Sequence, residues 1–299
     1  MDYTTRLRLE RNIFHAAHQA CEPWDQFLWH TSRGAIDTHV PHASQALAID
    51  VFGTIKMSPA RDEILDALAQ TVGLPLGGPW TITLEWNAPK ALLGELKETQ
   101  VDVYAESPHA VLLCECKFTE TNGGACSQTN KKQGLAQCNG NYAHQTNPRN
   151  GVSSRCALSG KGIRYWEVIP QVFHLDAETD YRPCPFAGPT YQWMRNLVVG
   201  FEQARRQHKQ AATVIVYADA PHLPMAKEVR SEEWAQFAET VKQDNVTLQV
   251  MSYQNILSLA QDVTKGNKTD GQMWTELVEW VDRKIAATRT NVPAASTIF

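Results

Sequence analysis

Hydrophobic and polar positions follow a period of two through the middle of the first half of the chain. Trp80, Ile82, Leu84 and Trp86 alternate with Thr81, Thr83 and Glu85, the pattern of a half-buried strand. Two further β-like runs, Gln100 to Ala105 and Ala110 to Phe118, flank Glu106-Ser107-Pro108-His109, whose Ser-Pro pair favours a turn, so a hairpin is expected there and a three-stranded meander overall. Along the last run Val111, Leu113, Glu115 and Lys117 share one face, and Leu112, Cys114, Cys116 and Phe118 share the other. Both faces are apolar until the charges begin. A strand of that kind is covered on both sides, and Glu115 and Lys117 emerge together where it leaves the packed layer.

Elsewhere the period is helical. Thr4 to Glu22 reads as an amphipathic helix carrying Leu7, Leu9, Ile13, Phe14 and Ala17, closed by Pro23. Ser44 to Phe52 reads as a short helix with Ser44 as N-cap and Gly53 as its stop, and Pro59 to Val72 as another, with Ile64, Leu65 and Leu68 inward. Ile163 to Phe173 has a β-rich composition and is expected to rejoin the core. Thr190 to Lys209 is a helix with Met194, Leu197, Phe201 and Ala204 on its buried stripe. Ala212 to Ala218 is an apolar β-branched run after a helix, which predicts a buried parallel strand and a β-α-β crossover. Ser231 caps a helix over Glu232 to Lys242, Val246 to Met251 is a strand, and Tyr253 to Val263 a helix. Gly266 to Gly271 is expected to break the chain before Met273 to Ala287, whose Trp274, Leu277, Val278, Val281 and Ile285 share one face, and the tail from Thr288 frays. These elements predict an α/β fold, a mixed β-sheet core flanked by helices. The expected organisation is an N-terminal helical segment over 1–40, the main domain over 41–265 with a long basic, cysteine-containing insertion at about 121–189, and a C-terminal helix and tail over 266–299.

At 299 residues, 43% hydrophobic and 20% charged, the chain can bury one large core. No apolar run approaches the roughly 18–20 residues that span a bilayer, and the first residues lack the apolar centre of a signal peptide, so a cytoplasmic protein with no membrane partner is expected. Seven cysteines without an export signal argue against a disulfide framework. His15, His18, His30, His39 and His42 are read as surface or core histidines, because no pair has metal-ligand spacing on one element.

Charge changes the picture between Thr121 and Trp166. That window holds no Asp or Glu but carries Lys131, Lys132, Arg149, Arg155, Lys161 and Arg164, a local +6 in a chain of net charge −4. A polyanion is attracted to this segment and repelled by the rest, and Tyr142, Tyr165 and Trp166 offer stacking surfaces, so it reads as a nucleic-acid-facing insertion. The bland alternative is a solvated basic loop offsetting an acidic body. Cys126, Cys138, Cys156 and Cys184 could hold a structural Zn²⁺ that stabilises a segment with little core of its own; without a Cys-x-x-Cys pair, buried free thiols are the alternative.

The chemistry concentrates at the hairpin. Asp102 and Glu115 supply anionic oxygens of the kind Mg²⁺ prefers, and the Cys116 carbonyl could supply a third. Lys117 could orient or deprotonate a water, or stabilise charge on a phosphoryl group. A Glu-x-Lys triplet by itself is weak evidence, and an exposed ion-pair ladder is the alternative; such a ladder would not end a strand that is apolar on both faces. Asp102, twelve intervening residues and Glu115-Cys116-Lys117 resemble the signature of the PD-(D/E)xK nuclease superfamily, with Val101 in place of the Pro. The phrases SQALAIDVFG at 44–53, LGE at 93–95, ECKFTE at 115–120 and TYQWMRN at 190–196 resemble its restriction-endonuclease-like branch, and the likeness covers roughly 41–259. It implies a DNA endonuclease using Mg²⁺ or Mn²⁺ in a bacterial restriction or defence setting. It also implies that Glu95 adds a carboxylate to the metal site and that Gln192 lies beside it, the alternatives being a loop glutamate and a polar helix face. Arg195, near Gln192, could contact a phosphate. Cleaving both strands usually needs two sites, which favours a homodimer, and with no specificity domain in the sequence a protein partner could supply target choice. The competing readings are a non-cleaving nucleic-acid-binding module of the same fold and a partner-docking protein that uses the basic insertion.

Overall fold

A computed structural model of the chain describes residues 1–129, 138, 145–146, 153–154, 156–176 and 184–289. Strands β1 (Thr81–Asn87), β2 (Gln100–Glu106), β3 (Ala110–Lys117), β4 (Gln210–Tyr217) and β5 (Thr247–Ser252) form one sheet in that spatial order. The first three make the expected antiparallel meander; β4 then runs parallel to β3, and β5 parallel to β4. Parallel neighbours need crossover connections, and helices supply them. The helices used below are α1 (Tyr3–Asn12), α2 (Arg61–Thr71), α3 (Tyr165–Val172), α4 (Tyr191–Gln207), α5 (Tyr253–Thr264) and α6 (Lys268–Ala287).

Every residue of β3 is buried because both of its faces are covered. Leu112, Cys114, Cys116 and Phe118 enter one core with Leu9 and Ile13, Leu65 of α2, Ile256 of α5 and Trp274, Leu277 and Val281 of α6. Val111 and Leu113 enter a second core with Val168 and Ile169 of α3 and Trp193, Leu197 and Val198 of α4. The two-faced apolar run therefore produces a three-layer α/β/α arrangement, with burial of each large aliphatic side chain contributing about 1.5–3 kcal/mol. Gly200 lets α4 approach β3: a Cβ there would lie 3.3 Å from a Leu113 methyl. Among the described residues no helix is long and apolar enough to cross a membrane.

Several elements depart from the sequence expectation. The first helix ends at Asn12, not Glu22: Phe14 N–H donates to the Asp50 carboxylate at 2.7 Å, a tertiary bond that takes the amide out of the helical ladder, and the chain resumes as a 3₁₀ turn over His15–Cys21. Ser44 is the first helical residue rather than the cap. Gly53 does not stop that helix; it sits at helical dihedrals inside a run that passes through a π-type turn, Ile49–Gly53, to Met57. Its small size serves packing, since a Cβ would meet Ala17 Cβ at 3.0 Å. Within Ile163–Phe173 the β-rich composition gives way to helix α3, because Tyr165, Val168, Ile169 and Val172 recur at helical spacing and that period outweighs β-branched composition. The last helix begins at Lys268 and takes in Gly271. The tail beyond residue 289 lies outside the described residues.

The most consequential departure is in β1. Glu85 has φ +54°, a left-handed conformation rare for a non-glycine residue in a strand. Before it Ile82 and Leu84 face the first core; after it Trp86 packs with the second, stacked on Tyr104 at 4.3 Å, so Trp86 does not share a face with Ile82 and Leu84 as the alternation predicted.

Candidate active site

β2 and β3 pair with Val103 opposite Cys114, which brings Asp102 beside Glu115 where the hairpin strands leave the packed layers. Asp102 is half-buried, and its Oδ2 accepts the Cys116 N–H at 2.6 Å. It is thus the Cys116 amide that meets Asp102, while its side chain lies in the first core, where burial pushes the thiol up. Glu115 and Lys117 are buried on the α4 side, and Lys117 Nζ donates to Glu115 Oε1 at 2.8 Å.

Helix α4 completes this side of the site. Gln192 Oε1 accepts from Lys117 Nζ at 2.8 Å, and Asn196 Nδ2 donates to Glu115 Oε2. Gln192 and Asn196 are four residues apart and so share one helical face. The start of α4 is pinned at Gly123, whose carbonyl accepts the Gln192 N–H at 2.9 Å; a Cβ on Gly123 would lie 2.7 Å from the Pro189 carbonyl oxygen and 2.8 Å from the Trp193 ring.

On the far side of Asp102 stand two residues that sequence reading did not assign. His30 Nε2 lies 3.1 Å from Glu85 Oε2, and one ligand atom from each of His30, Glu85 and Asp102 fall within 4.8 Å of one another. The left-handed turn at Glu85 accompanies a carboxylate that is buried beside Asp102, its opposite number on β2. His30 arrives from a loop held by Gln45, which donates to the Leu28 carbonyl and accepts the His30 N–H, both at 2.8 Å. A cavity of about 270 Å³ opens here, lined by His30, Asp37, His42, Gln45 and Glu120.

The electrostatics follow from crowding. Burial raises the Asp102 carboxyl well above the usual range, and the charges of Glu115 and Glu85 add to it, against Lys117 and the Cys116 N–H. Burial alone would lower the Lys117 ammonium, but Glu115 and Asp102 outweigh it and the net shift is upward, so Lys117 is a charged donor at neutral pH. Burial likewise pulls the His30 imidazole down, while its bond to Glu85 and the charges of Glu85, Asp102 and Asp37 raise it to about 9. Glu85, Asp102 and Glu115 outnumber the cations Lys117 and His30. A cluster with surplus carboxylate and an imidazole is a donor set suited to a divalent metal ion.

The remaining expected site residues are placed differently. Glu95 is buried and accepts from Thr99 at 2.6 Å and from Tyr165; its Oε2 has no partner among the described residues, and no hydrogen bond joins it to Asp102, Glu115 or Lys117. Tyr165 is therefore a buried hydrogen-bond donor, not a stacking surface. Arg195 lies with its guanidinium carbon 5.8 Å from the Tyr191 ring centre. Arg164 gives Nη2 to the carbonyls of Ala91 and Leu92 at 3.0 and 2.8 Å and so ties the insertion to the main domain, while Lys161 bonds the Gln128 side chain within the insertion. Lys131, Lys132, Arg149, Arg155 and Tyr142 lie outside the described residues. Cys126, Cys138, Cys156 and Cys184 form no disulfide among the described residues; burial raises the Cys126 thiol, with Cys184 and Cys138 adding to the shift. Among the described residues the group of three or more metal-ligand side chains in mutual reach is His30, Glu85 and Asp102, not these thiols.

Two of the missed residues had a sequence signal. Asn196 follows Gln192 by one helical turn, and Glu85 falls opposite Asp102 once β1 and β2 are paired. His30 had none, because a loop brings it there. A family model described as REase-ARP, Restriction Endonuclease associating with ARP, matches residues 4–279. No curated protein and no solved structure matches the chain.

Proposed function

This chain belongs to the REase-ARP family, the restriction endonucleases associating with ARP, and we propose that it hydrolyses DNA phosphodiester bonds in a metal-dependent, PD-(D/E)xK type of reaction. The observation that carries this reading is the convergence of Asp102, Glu115 and Lys117 at the ends of β2 and β3, with Lys117 Nζ held 2.8 Å from both Glu115 and Gln192. Asp102 and Glu115 would hold Mg²⁺ or Mn²⁺, and such an ion, when bound, polarises a phosphoryl oxygen and acidifies water.

The chain's own groups do the rest. Lys117, a buried ammonium, places positive charge where a phosphoryl group gains negative charge, and a site shielded from water strengthens that interaction. Gln192 and Asn196 take one bond each from the Lys117–Glu115 pair, fixing its geometry before substrate arrives. The cations of the basic stretch from Thr121 to Trp166 other than Lys161 and Arg164 lie close in sequence to Lys117 and would give DNA binding a salt-dependent affinity. The ARP of the family description is the candidate for a partner that supplies target choice, in a restriction or defence setting.

The test is incubation of the purified chain with plasmid, linear duplex and single-stranded DNA in Mg²⁺ or Mn²⁺, against EDTA and against Lys117→Ala, with and without the ARP partner. Metal-dependent cutting that disappears in Lys117→Ala supports the reading. DNA that binds with a steep salt dependence but survives every divalent metal, with the partner present, would replace it with a non-cleaving binding module.

A further inference from the structure

Resting on the nuclease reading, we propose that His30 and Glu85 join Asp102 as direct ligands of the site's metal ion, and that this mixed imidazole and carboxylate set selects Mn²⁺ over Mg²⁺. Three elements distant in sequence deliver the three groups: a loop, the kinked position of β1 and the end of β2. Their ligand atoms fall within 4.8 Å of one another, about twice a metal–ligand bond of ~2.0–2.4 Å, so one ion fits between them with small side-chain adjustment.

The surroundings are built to hold these groups in place. Glu85 is 2% exposed and stands with Asp102 and Glu115 beside two cationic groups, the Lys117 ammonium bonded to Glu115 and the His30 imidazole bonded to Glu85. Three carboxylates outnumber these two cations by one charge, and a divalent ion that takes the place of the imidazole proton balances them. Gln45, itself buried, grips the chain on both sides of His30, through the Leu28 carbonyl and the His30 N–H, so the imidazole is positioned by two backbone bonds. The cavity of about 270 Å³ that His30 and Glu120 line gives a hydrated ion a way in.

The donor set decides the metal. Mg²⁺ prefers an all-oxygen octahedron and gains little from an imidazole nitrogen, whereas Mn²⁺ accepts carboxylate and imidazole together and lies above Mg²⁺ in affinity for nitrogen-containing sites. His30 is thus the residue on which the preference rests, and Glu85 and Asp102 supply affinity for either ion.

Calorimetric titration of the metal-free full-length chain with MnCl₂ and with MgCl₂ tests this directly, for the parent, His30→Gln, Glu85→Gln and a control, His109→Gln, in the turn at the other end of β3. The parent is expected to bind Mn²⁺ at least about 10-fold more tightly than Mg²⁺; His30→Gln is expected to lose about 10- to 100-fold for Mn²⁺ and bring the two ions level, and Glu85→Gln to weaken both. Unchanged Mn²⁺ affinity and an unchanged Mn²⁺/Mg²⁺ ratio in a folded His30→Gln would overturn the proposal. Pulsed electron paramagnetic resonance of the Mn²⁺-loaded parent needs no variant: nitrogen coupling from an imidazole is expected, and its absence overturns the assignment of His30. DNA cleavage assayed in parallel separates the two ideas. Mn²⁺ binding with nitrogen coupling but no cutting removes the nuclease reading and leaves the site, whereas metal-dependent cutting with His30→Gln indistinguishable from the parent removes the site and leaves the nuclease.

Discussion

Lys117 Nζ and Gln192 Oε1 meet at 2.8 Å although 75 positions separate them, and the same ammonium is 2.8 Å from Glu115. The bond joins the last residue of β3 to the first turn of α4, so the site's cation is held by both layers that enclose it. Lys117→Ala is expected to lower the rate of DNA cleavage by about 10²–10³-fold, the size of effect seen when one charge-stabilising donor is removed. Gln192→Ala, which leaves the ammonium and carboxylate in place, is expected to cost about 10-fold with a melting temperature close to the parent's, whereas Asn196→Ala also removes a buried donor from Glu115 and should lower stability by about 1–3 kcal/mol. Single-turnover cleavage measured beside thermal unfolding separates the two classes, and an inactive but fully stable Gln192→Ala at the level of Lys117→Ala would show that the glutamine does more than position.

The Asp50–Lys284 pair ties the C-terminal helix to the N-terminal segment. Asp50 is fully buried, and its carboxylate accepts from Lys284 at 2.6 Å, Trp280 at 3.0 Å and the Phe14 amide at 2.7 Å, while Lys284 also donates to the Asn12 carbonyl at 2.6 Å. Asp50→Ala strands a buried ammonium and two N–H donors, and urea denaturation should show a loss of about 3–5 kcal/mol. The paired change Asp50→Leu with Lys284→Met should cost less than Asp50→Ala alone, since no uncompensated charge is left inside.

Acid sensitivity should track Glu202. Burial pushes this carboxyl up, but Arg205 at 2.8 and 3.0 Å and Arg206 at 2.8 Å outweigh it, and the net shift is below the ordinary 4.5. A carboxyl lowered in the folded state stabilises above its unfolded value and loses that contribution as pH falls through the folded one. Because both guanidinium groups are largely exposed, solvent screening limits the effect to about 1 kcal/mol. Melting curves of Glu202→Gln should therefore fall below the parent's at pH 7 and converge with them in acid, below the ordinary 4.5; a constant gap would exclude titration of this group as its cause.

Gly123→Ala should disturb the site without touching its chemistry. An added Cβ would lie 2.7–2.8 Å from the Pro189 carbonyl and the buried Trp193 ring, neither of which is a flexible tip. Overpacking of this kind costs about 1–3 kcal/mol, and the start of α4, with Gln192, must move. A lowered denaturation midpoint together with reduced cleavage is the expected outcome, and a variant as stable as the parent would show that the loop yields.

Arg164 offers a check on how the basic segment is used. Its guanidinium is committed to the carbonyls of Ala91 and Leu92, so Arg164→Ala is expected to cost about 1–2 kcal/mol of stability while leaving the salt dependence of DNA binding unchanged. A shallower salt slope would assign the arginine to phosphate contact instead.

The sequence by itself determined the α/β class, the meander and the parallel strands that follow it, because their signals are local: period two in β1 and β2, apolar residues on both faces of β3, and helical period in α2 and α4. It also located Asp102, Glu115 and Lys117, whose shared position depends on strand alternation and one tight turn, whereas Gln192 was pointed to only by the resemblance to the PD-(D/E)xK superfamily. What it misread were elements in which a tertiary contact overrules a local preference. The first helix stops where Phe14 turns to Asp50, Gly53 serves packing against Ala17 rather than termination, and α3 forms where composition favoured a strand. Only the tertiary structure decided that His30 stands beside Glu85 and Asp102, that one oxygen of Glu95 is taken by Thr99 and Tyr165, and that Arg164 holds backbone carbonyls. The physical reason is the same in each case. A strand or helix writes its period into neighbouring residues, but a site assembled from a loop, a kinked strand and a hairpin depends on how layers pack, and no spacing along the chain records where distant side chains come to rest.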